Sequence, residues 1–243
     1  MYRLGIILGG NDDESNLSIH SARFIFECLC EEKNFQLYFI FTEKHDNQYI
    51  FYKLESKFLY CNTIKDFAHI EKDIFDFNIY NLDLLIPVIH GEFGEGGELM
   101  NMIEKYNIPH LFTDSEHIKN MFFKYQSGQI LKQYDFNKNY IQYYEKIDDI
   151  YDNSKLFIIK PNNSGSSYKI NVTNYENINN YDLKSNLIEE FLSGQEFTHF
   201  VLNGISQGTI ILKHRGDYIT YKHKNFPSDL EIEHINNIQI SAD

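Results

Sequence analysis

The opening segment RLGIILGG, residues 3–10, constrains this chain more than any other. An apolar run without polar alternation marks a strand buried on both faces, and Gly9-Gly10 ends it in a turn. Over residues 15–31 apolar side chains recur at Leu17, Ala22, Phe24, Ile25, Cys28 and Leu29, the spacing of one helical face. Strand, glycine turn and helix open a doubly wound α/β unit. Residues 36–42 read as a second strand, and 50–54 with 57–61 as a hairpin. LLIPVIH, residues 84–90, reads as another buried strand. The glycine-rich GEFGEGGE follows it, then a helix to about Tyr106, broken at Asn107-Ile108-Pro109. Thr113 and Glu116 have capping-box spacing and predict a long helix to about Tyr134.

Beyond that helix the pattern changes. Residues 140–146, 156–160, 168–172, 197–202, 209–213 and 218–222 read as short antiparallel strands. A helix is expected around 181–187, and 228–243 reads as a short helix or a tail. The fold class is therefore α/β first and α+β second.

The net charge of −13 argues against a nucleic-acid binder that works by phosphate neutralisation, although a local basic pocket remains compatible with it. The three cysteines, Cys28, Cys30 and Cys61, form no CxxC pair or Cys/His cluster and read as buried or half-buried thiols. No apolar run reaches the roughly 18 residues of a membrane span, and Leu4–Leu8 is too short for a signal-peptide core. A cytoplasmic protein with no membrane partner is the expectation.

Three segments carry chemistry. At Gly9-Gly10 through Glu14 a strand hands over to a helix N-terminus, where free amides and the helix dipole face a crevice. Glu14 there suits an ammonium group. Taken alone, Asp12, Asp13 and Glu14 read more plainly as simple first-turn charges. In KPNNSGSS, residues 160–167, a lysine ends an apolar strand and a small-residue loop follows. Amides, the Ser166 and Ser167 hydroxyls and Lys160 make a phosphate clamp, unlike a Walker motif. An exposed hairpin turn is the plainer alternative. In IEEFLSGQE, residues 188–196, acidic positions flank an apolar strip on which an adenine could lie, with Glu196 accepting from ribose hydroxyls. A solvated acidic edge is the alternative.

In order and spacing these segments resemble the D-alanine–D-alanine ligase family. Its GGxSxExxxSLxSA is matched by Gly9, Gly10, Glu14, Ser18, Ser21 and Ala22, with Asp12 in place of the serine. Its HGxxGEDG and following IP are matched by His90, Gly91, Gly94, Glu95, Gly97, Ile108 and Pro109, with Gly96 for Asp. Its helix lysine falls at Lys124, preceded by Phe123 instead of Asp. Its KPxxxGSSxG is matched by Lys160, Pro161, Gly165, Ser166 and Ser167, with Lys169 for the last glycine. IEEFLSGQEFT matches the adenine segment almost throughout.

The resemblance implies an ATP-grasp fold in which two lobes clasp ATP. The division expected is a Rossmann-like N-terminal substrate lobe (1–112), a small central lobe (113–190) and an incomplete C-terminal lobe (191–243). It implies that Lys124, Lys160, Ser166 and Ser167 hold ATP phosphates, that Glu189, Glu190 and Leu192 read adenine, and that Glu196 binds ribose. Glu14 takes the ammonium of the first D-alanine with support from Ser166, and His90 and Gly91 lie at the substrate. Lys224, in Tyr221-Lys-His-Lys-Asn225, stands for a mobile-loop lysine, while Asn225 stands where the family has tyrosine. The implied activity is ATP-dependent joining of two D-alanines for peptidoglycan precursor synthesis.

The family also holds magnesium through an Arg-x-Asp strand and a Glu-x-Asn strand. Neither motif follows before Asp243, so the chain reads as truncated relative to the family, with no metal ligand to name. Without that counter-charge a weak or inactive ligase is expected. The alternatives are a non-catalytic module that binds nucleotide or a small amino acid, or a chain completed by a partner's strands. The missing strands also predict an open edge or apolar patch on the C-terminal sheet, and hence a homodimer.

Overall fold

The computed structural model describes residues 1–10, 14–69, 73–133, 143–144, 150, 152–182, 184–214, 219 and 230–235. It divides into two compact units, Met1–Ser127 and Gly128–Asp243.

In the first unit β1 (Tyr2–Gly9) leads into α1 (Ser15–Leu29), followed by β2 (Phe35–His45), β3 (Gln48–Leu54), the single-turn α2 (Phe77–Tyr80) and β4 (Leu84–Pro87). The sheet order is β3-β2-β1-β4, with β1 parallel to both β2 and β4. β1 is buried on both faces, as its unbroken apolar run requires. Ile7 packs into one core cluster with Ile40, Phe51 and Leu85, while Ile6 and Leu8 pack into another with Ile19, Phe39 and Phe41. Each such side chain contributes about 2 kcal/mol of transfer free energy. In α1 the buried face is Ser15, Ser18, Ile19 and Ala22, whereas Phe24 points outward. Cys28 and Cys30 are exposed on its last turn, not buried as their residue type suggested, and Cys61 is half-buried.

The expected hairpin of 50–54 with 57–61 does not form. β3 instead pairs antiparallel with β2. Asp46 and Asn47 between them take left-handed φ angles of 45° and 66°, which these residues tolerate, and so make a two-residue turn. Ser56–Tyr60 is a 3-10 turn with Leu59 fully buried. Arg23 of α1 holds it, donating from Nε to the Leu59 carbonyl at 2.7 Å and from Nη2 to that of Cys61 at 3.1 Å.

After β4 come α3 (Glu92–Glu95), α4 (Glu98–Ile103), α5 (Ser115–Phe122) and α6 (Lys124–Gln133). The cap of α5 is Asp114, not Thr113: its carboxylate accepts the His117 backbone N–H at 3.0 Å. That bond and the His117 ring hold the Asp114 carboxyl below its usual range, and Asp114 in turn raises His117. The predicted single long helix is two, because Phe123 has extended backbone (φ −79°, ψ 109°).

In the second unit β5 (Tyr143–Tyr144), β6 (Leu156–Pro161), β7 (Asn171–Asn174) and β8 (Asn186–Glu190) form an antiparallel sheet of order β5-β8-β6-β7. Phe157, Ile159 and Ile188 point to one face and pack with Ile150 and Ile178. A second sheet, β11-β10-β9, contains β9 (Glu196–Leu202), β10 (Ile205–His214) and β11 (Leu230–Ile235). The helix expected at 181–187 is a turn leading into β8. Asp182 accepts from the Lys184 N–H at 3.0 Å and from Ser185 Oγ at 2.7 Å, bonds that compete with a helix. The strand expected at 168–172 begins only at Asn171, after a left-handed turn. Part of the segment expected as helix or tail is β11, where Leu230 and Ile232 alternate with Glu231 and Glu233 against β10. Most of 218–222 and of 140–146, and all of 236–243, lie outside the described residues.

Every residue of β9 is exposed, including Phe197, Phe200, Val201 and Leu202, and so is Ile205 at the start of β10. This is the apolar patch expected on the C-terminal sheet. Among the described residues β9 has no strand on its outer edge.

Gly9 sets the end of β1. Its φ of 113° is closed to other residues, and a Cβ there would overlap the Thr42 carbonyl oxygen. Gly9→Ala is expected to destabilise the protein by about 3 kcal/mol, read from the denaturant midpoint. An unchanged midpoint would refute this reading of the turn.

Candidate functional site

Strand alternation builds the site of the second unit. With Phe157 and Ile159 committed to the core, Ile158 and Lys160 must face the other way. In register, Ile158 lies opposite Glu189 and Lys160 opposite Leu187, so Lys160 and Glu189 are diagonal neighbours on one face. The Lys160 ammonium meets the Glu189 carboxylate at 2.6 Å, with only 16% and 3% of the two side chains exposed.

The loop after β6 arches over this face. Ser166 and Ser167 both take left-handed φ angles, 51° and 59°. Two successive residues with a Cβ in this region mark a tight and uncommon turn. The Tyr168 N–H closes the loop on the Gly165 carbonyl at 3.0 Å.

Together these elements enclose a cavity of about 250 Å³. Its polar lining is Lys160, Ser167, Glu189, Glu190 and Glu196; its apolar lining is Ile158, Ile170, Phe191, Leu192 and Ile219. Glu190 pairs with Lys155 at 2.8 Å, and Glu196 Oε1 accepts the Ile219 N–H at 2.9 Å. One end is thus a lysine and a hydroxyl, and the rest an apolar slot edged by carboxylates. A phosphorylated ligand with a flat apolar ring and hydroxyl groups suits that chemistry.

Six residues expected at a nucleotide site from sequence therefore line one cavity: Lys160, Ser167, Glu189, Glu190, Leu192 and Glu196. Ser166 is the neighbour of a lining residue. Phe191, part of the apolar strip expected under an adenine, also lines the cavity, while Ile158, Ile170 and Ile219 have no sequence motif; strand alternation from Lys160 reaches Ile158, but only the folded loop brings in Ile170. Lys124 opens α6 in the first unit. Lys224 lies outside the described residues, as does Asp12. Among the described residues no group of three or more His, Cys, Asp or Glu gathers where a metal ion could be held. Glu233, on β11, pairs with Lys213.

In the first unit the residues matched by motif gather at the carboxyl ends of the parallel strands β1, β2 and β4. Ser18 locks the turn after β1: its Oγ accepts the Gly9 N–H at 2.9 Å and donates to the Ser15 carbonyl at 2.6 Å. Glu14 is the half-buried cap of α1, and its carbonyl accepts the Leu17 N–H. Ser21 Oγ, one turn beyond Ser18, lies 3.1 Å from His90 Nε2, joining α1 to the loop after β4. The Gly91 N–H donates to Glu95 Oε2 at 2.9 Å. Ser18, Ser21 and Glu95 are contributors that sequence reading matched to a motif without giving them a role. The spacing of three between Ser18 and Ser21 places both on one face of α1.

A Rossmann-like unit followed by antiparallel sheets, with a strand lysine and a small-residue loop over a cavity, defines an ATP-grasp protein. Solved structures share this fold. The D-Ala:D-Ser ligase VanG from Enterococcus faecalis superposes with a TM-score of 0.70 at 19% identity, covering 99% of this chain and 78% of that one. The D-alanine–D-alanine ligase from Bacillus anthracis complexed with ATP superposes with a TM-score of 0.64 at 18% identity, covering 98% and 72%. Residues 3–111 match the family described as D-ala D-ala ligase N-terminus. D-alanine–D-alanine ligase B of Clostridium perfringens is 27% identical over 238 residues, which cover 91% of this chain and 68% of that protein. The ligase of Pelagibacter ubique is 31% identical over 178 residues, covering 65% and 56%. The chain is a relative of the D-alanine–D-alanine ligases, and it spans about two thirds of the length of several of them.

The Lys160–Glu189 pair is buried deeply enough that removing one partner leaves a charge in a poor solvent. Lys160→Met is expected to cost about 3 kcal/mol of stability, and Lys160→Met with Glu189→Gln clearly less. Equal losses in the single and double variants, measured by urea unfolding, would overturn the pairing as the source of the cost.

Proposed function

We propose that this chain is an ATP-dependent ligase of the D-alanine–D-alanine type, acting in peptidoglycan precursor synthesis. The observation that carries the reading is the cavity that gathers Lys160, Ser167, Glu189, Leu192 and Glu196. In this reading Lys160, Ser166 and Ser167 hold the phosphates, joined by Lys124 and Lys224. Glu189, Glu190 and Leu192 receive the adenine, and Glu196 the ribose. The apolar slot and the carboxylates fit those groups, and the ATP-complexed Bacillus anthracis neighbour has the same fold.

Glu14 holds the ammonium of one D-alanine, and His90 and Gly91 border it. The carboxylate of that amino acid takes the terminal phosphoryl group of ATP, giving ADP and an acyl phosphate. The free amine of the second D-alanine attacks the acyl carbon, forming the amide bond and releasing inorganic phosphate. The protein's part is to place the nucleophile and to set positive charge against the transferring group. The division into lobes 1–112, 113–190 and 191–243 belongs to this proposal.

Purified chain with ATP, magnesium and D-alanine is expected to release phosphate in a D-alanine-dependent manner, and Lys160→Ala to abolish the release. ATP binding without release would make the chain a nucleotide-binding module. No ATP binding would overturn the reading altogether.

We also propose that the chain is a homodimer joined along β9. An exposed edge strand with Phe197, Phe200 and Val201 outward is a template for a second strand, and a two-fold axis lets identical edges pair antiparallel. Sedimentation of the unaltered chain is expected to show a dimer, and Phe200→Glu with Val201→Lys a monomer. A monomeric unaltered chain would exclude it.

A further inference from the structure

Lys169 lies between two residues that line the cavity, Ser167 and Ile170. Its φ is 53°, the third left-handed residue in the loop after Ser166 and Ser167. That conformation disfavours any residue with a Cβ and is commonest for glycine or asparagine. A lysine gains nothing locally from it. What the position does supply is an ammonium on a long stem at the rim of the cavity. At present that ammonium rests 5.0 Å from the centre of the exposed Tyr168 ring, a weak contact easily given up.

The charges lining the cavity make a second cation useful. Among the described residues the cavity is lined by the carboxylate-bearing Glu189, Glu190 and Glu196 and by one lysine; that lysine is paired with Glu189, and Glu190 with Lys155. A polyphosphate entering beside Lys160 therefore meets, among the described residues, a lysine whose charge Glu189 already opposes. A lysine stem is flexible enough to leave the Tyr168 ring for a ligand beside its own loop.

We infer that Lys169 is a phosphate-binding residue of the loop: it leaves the Tyr168 ring and pairs with the distal phosphates of a bound nucleotide. The inference rests on the cavity being a nucleotide site. Affinity then rises from adenosine through AMP and ADP to ATP, and the last steps depend on Lys169.

The test is calorimetric titration of the full chain with adenosine, AMP, ADP and ATP. The variants are Lys169→Gly, Lys169→Asn and Lys169→Arg, the first two of which accept the left-handed backbone. Lys169→Gly and Lys169→Asn are expected to weaken ATP binding about tenfold, the scale of one charged hydrogen bond, and to leave adenosine unchanged. Lys169→Arg is expected to retain ATP affinity. Unchanged ATP affinity in the glycine variant, or equal losses for adenosine and ATP, would overturn the inference. If Lys160→Ala abolishes ATP binding while Lys169→Gly leaves it intact, only the role of Lys169 fails. If the unaltered chain binds no ATP, the nucleotide reading of the cavity fails with it.

Discussion

The first unit depends on burying β1 from both sides. Ile7 faces one core and Ile6 and Leu8 the other, so helices and loops must cover both faces of the sheet. β1 sits between its parallel neighbours β2 and β4, and all three strands end at one edge. The turn at Gly9 then delivers Glu14 and α1 to that edge, and the loop after β4 brings His90 to the same place. The 3.1 Å contact of Ser21 with His90 is the point where the two connections meet.

The second unit uses the same logic on a smaller scale. Antiparallel pairing of β6 with β8 sends alternate residues to opposite faces. Phe157, Ile159 and Ile188 make a core, and their neighbours Ile158, Lys160 and Glu189 make the wall of a cavity. A lysine and a glutamate drawn from water hold each other at 2.6 Å. Such a pair adds little net stability, because desolvation offsets attraction, but it fixes where the ammonium points. The left-handed loop that follows β6 adds Ser167 and Ile170 to the lining of the same cavity.

Much of this was legible in the residues. The apolar run into Gly9-Gly10 announced β1 and α1, and the KPNNSGSS and IEEFLSGQE segments named six residues that line one cavity. The failures were local. Asp46-Asn47 makes the hairpin turn that pairs β3 with β2, a signal carried by two short polar residues and not by hydrophobic period. Asp182 and Asp114 acted through side-chain bonds to nearby backbone, one displacing a helix and one shifting a cap. Short polar side chains of this kind compete with regular structure at a level that hydrophobic periodicity does not register.

The sequence by itself determined the order of elements around each motif and the chemical type of each ligand group, because apolar period and residue type are local properties. Tertiary structure alone decided which of those groups share a space. Lys160 and Glu189 are 29 positions apart and meet only through strand register; Ser21 and His90 meet only because two parallel strands end at one edge. It also decided that Lys169 stands left-handed at the cavity rim and that β9 is exposed along its length. Backbone handedness and burial follow from which chain segments pack against one another, and no local pattern encodes them.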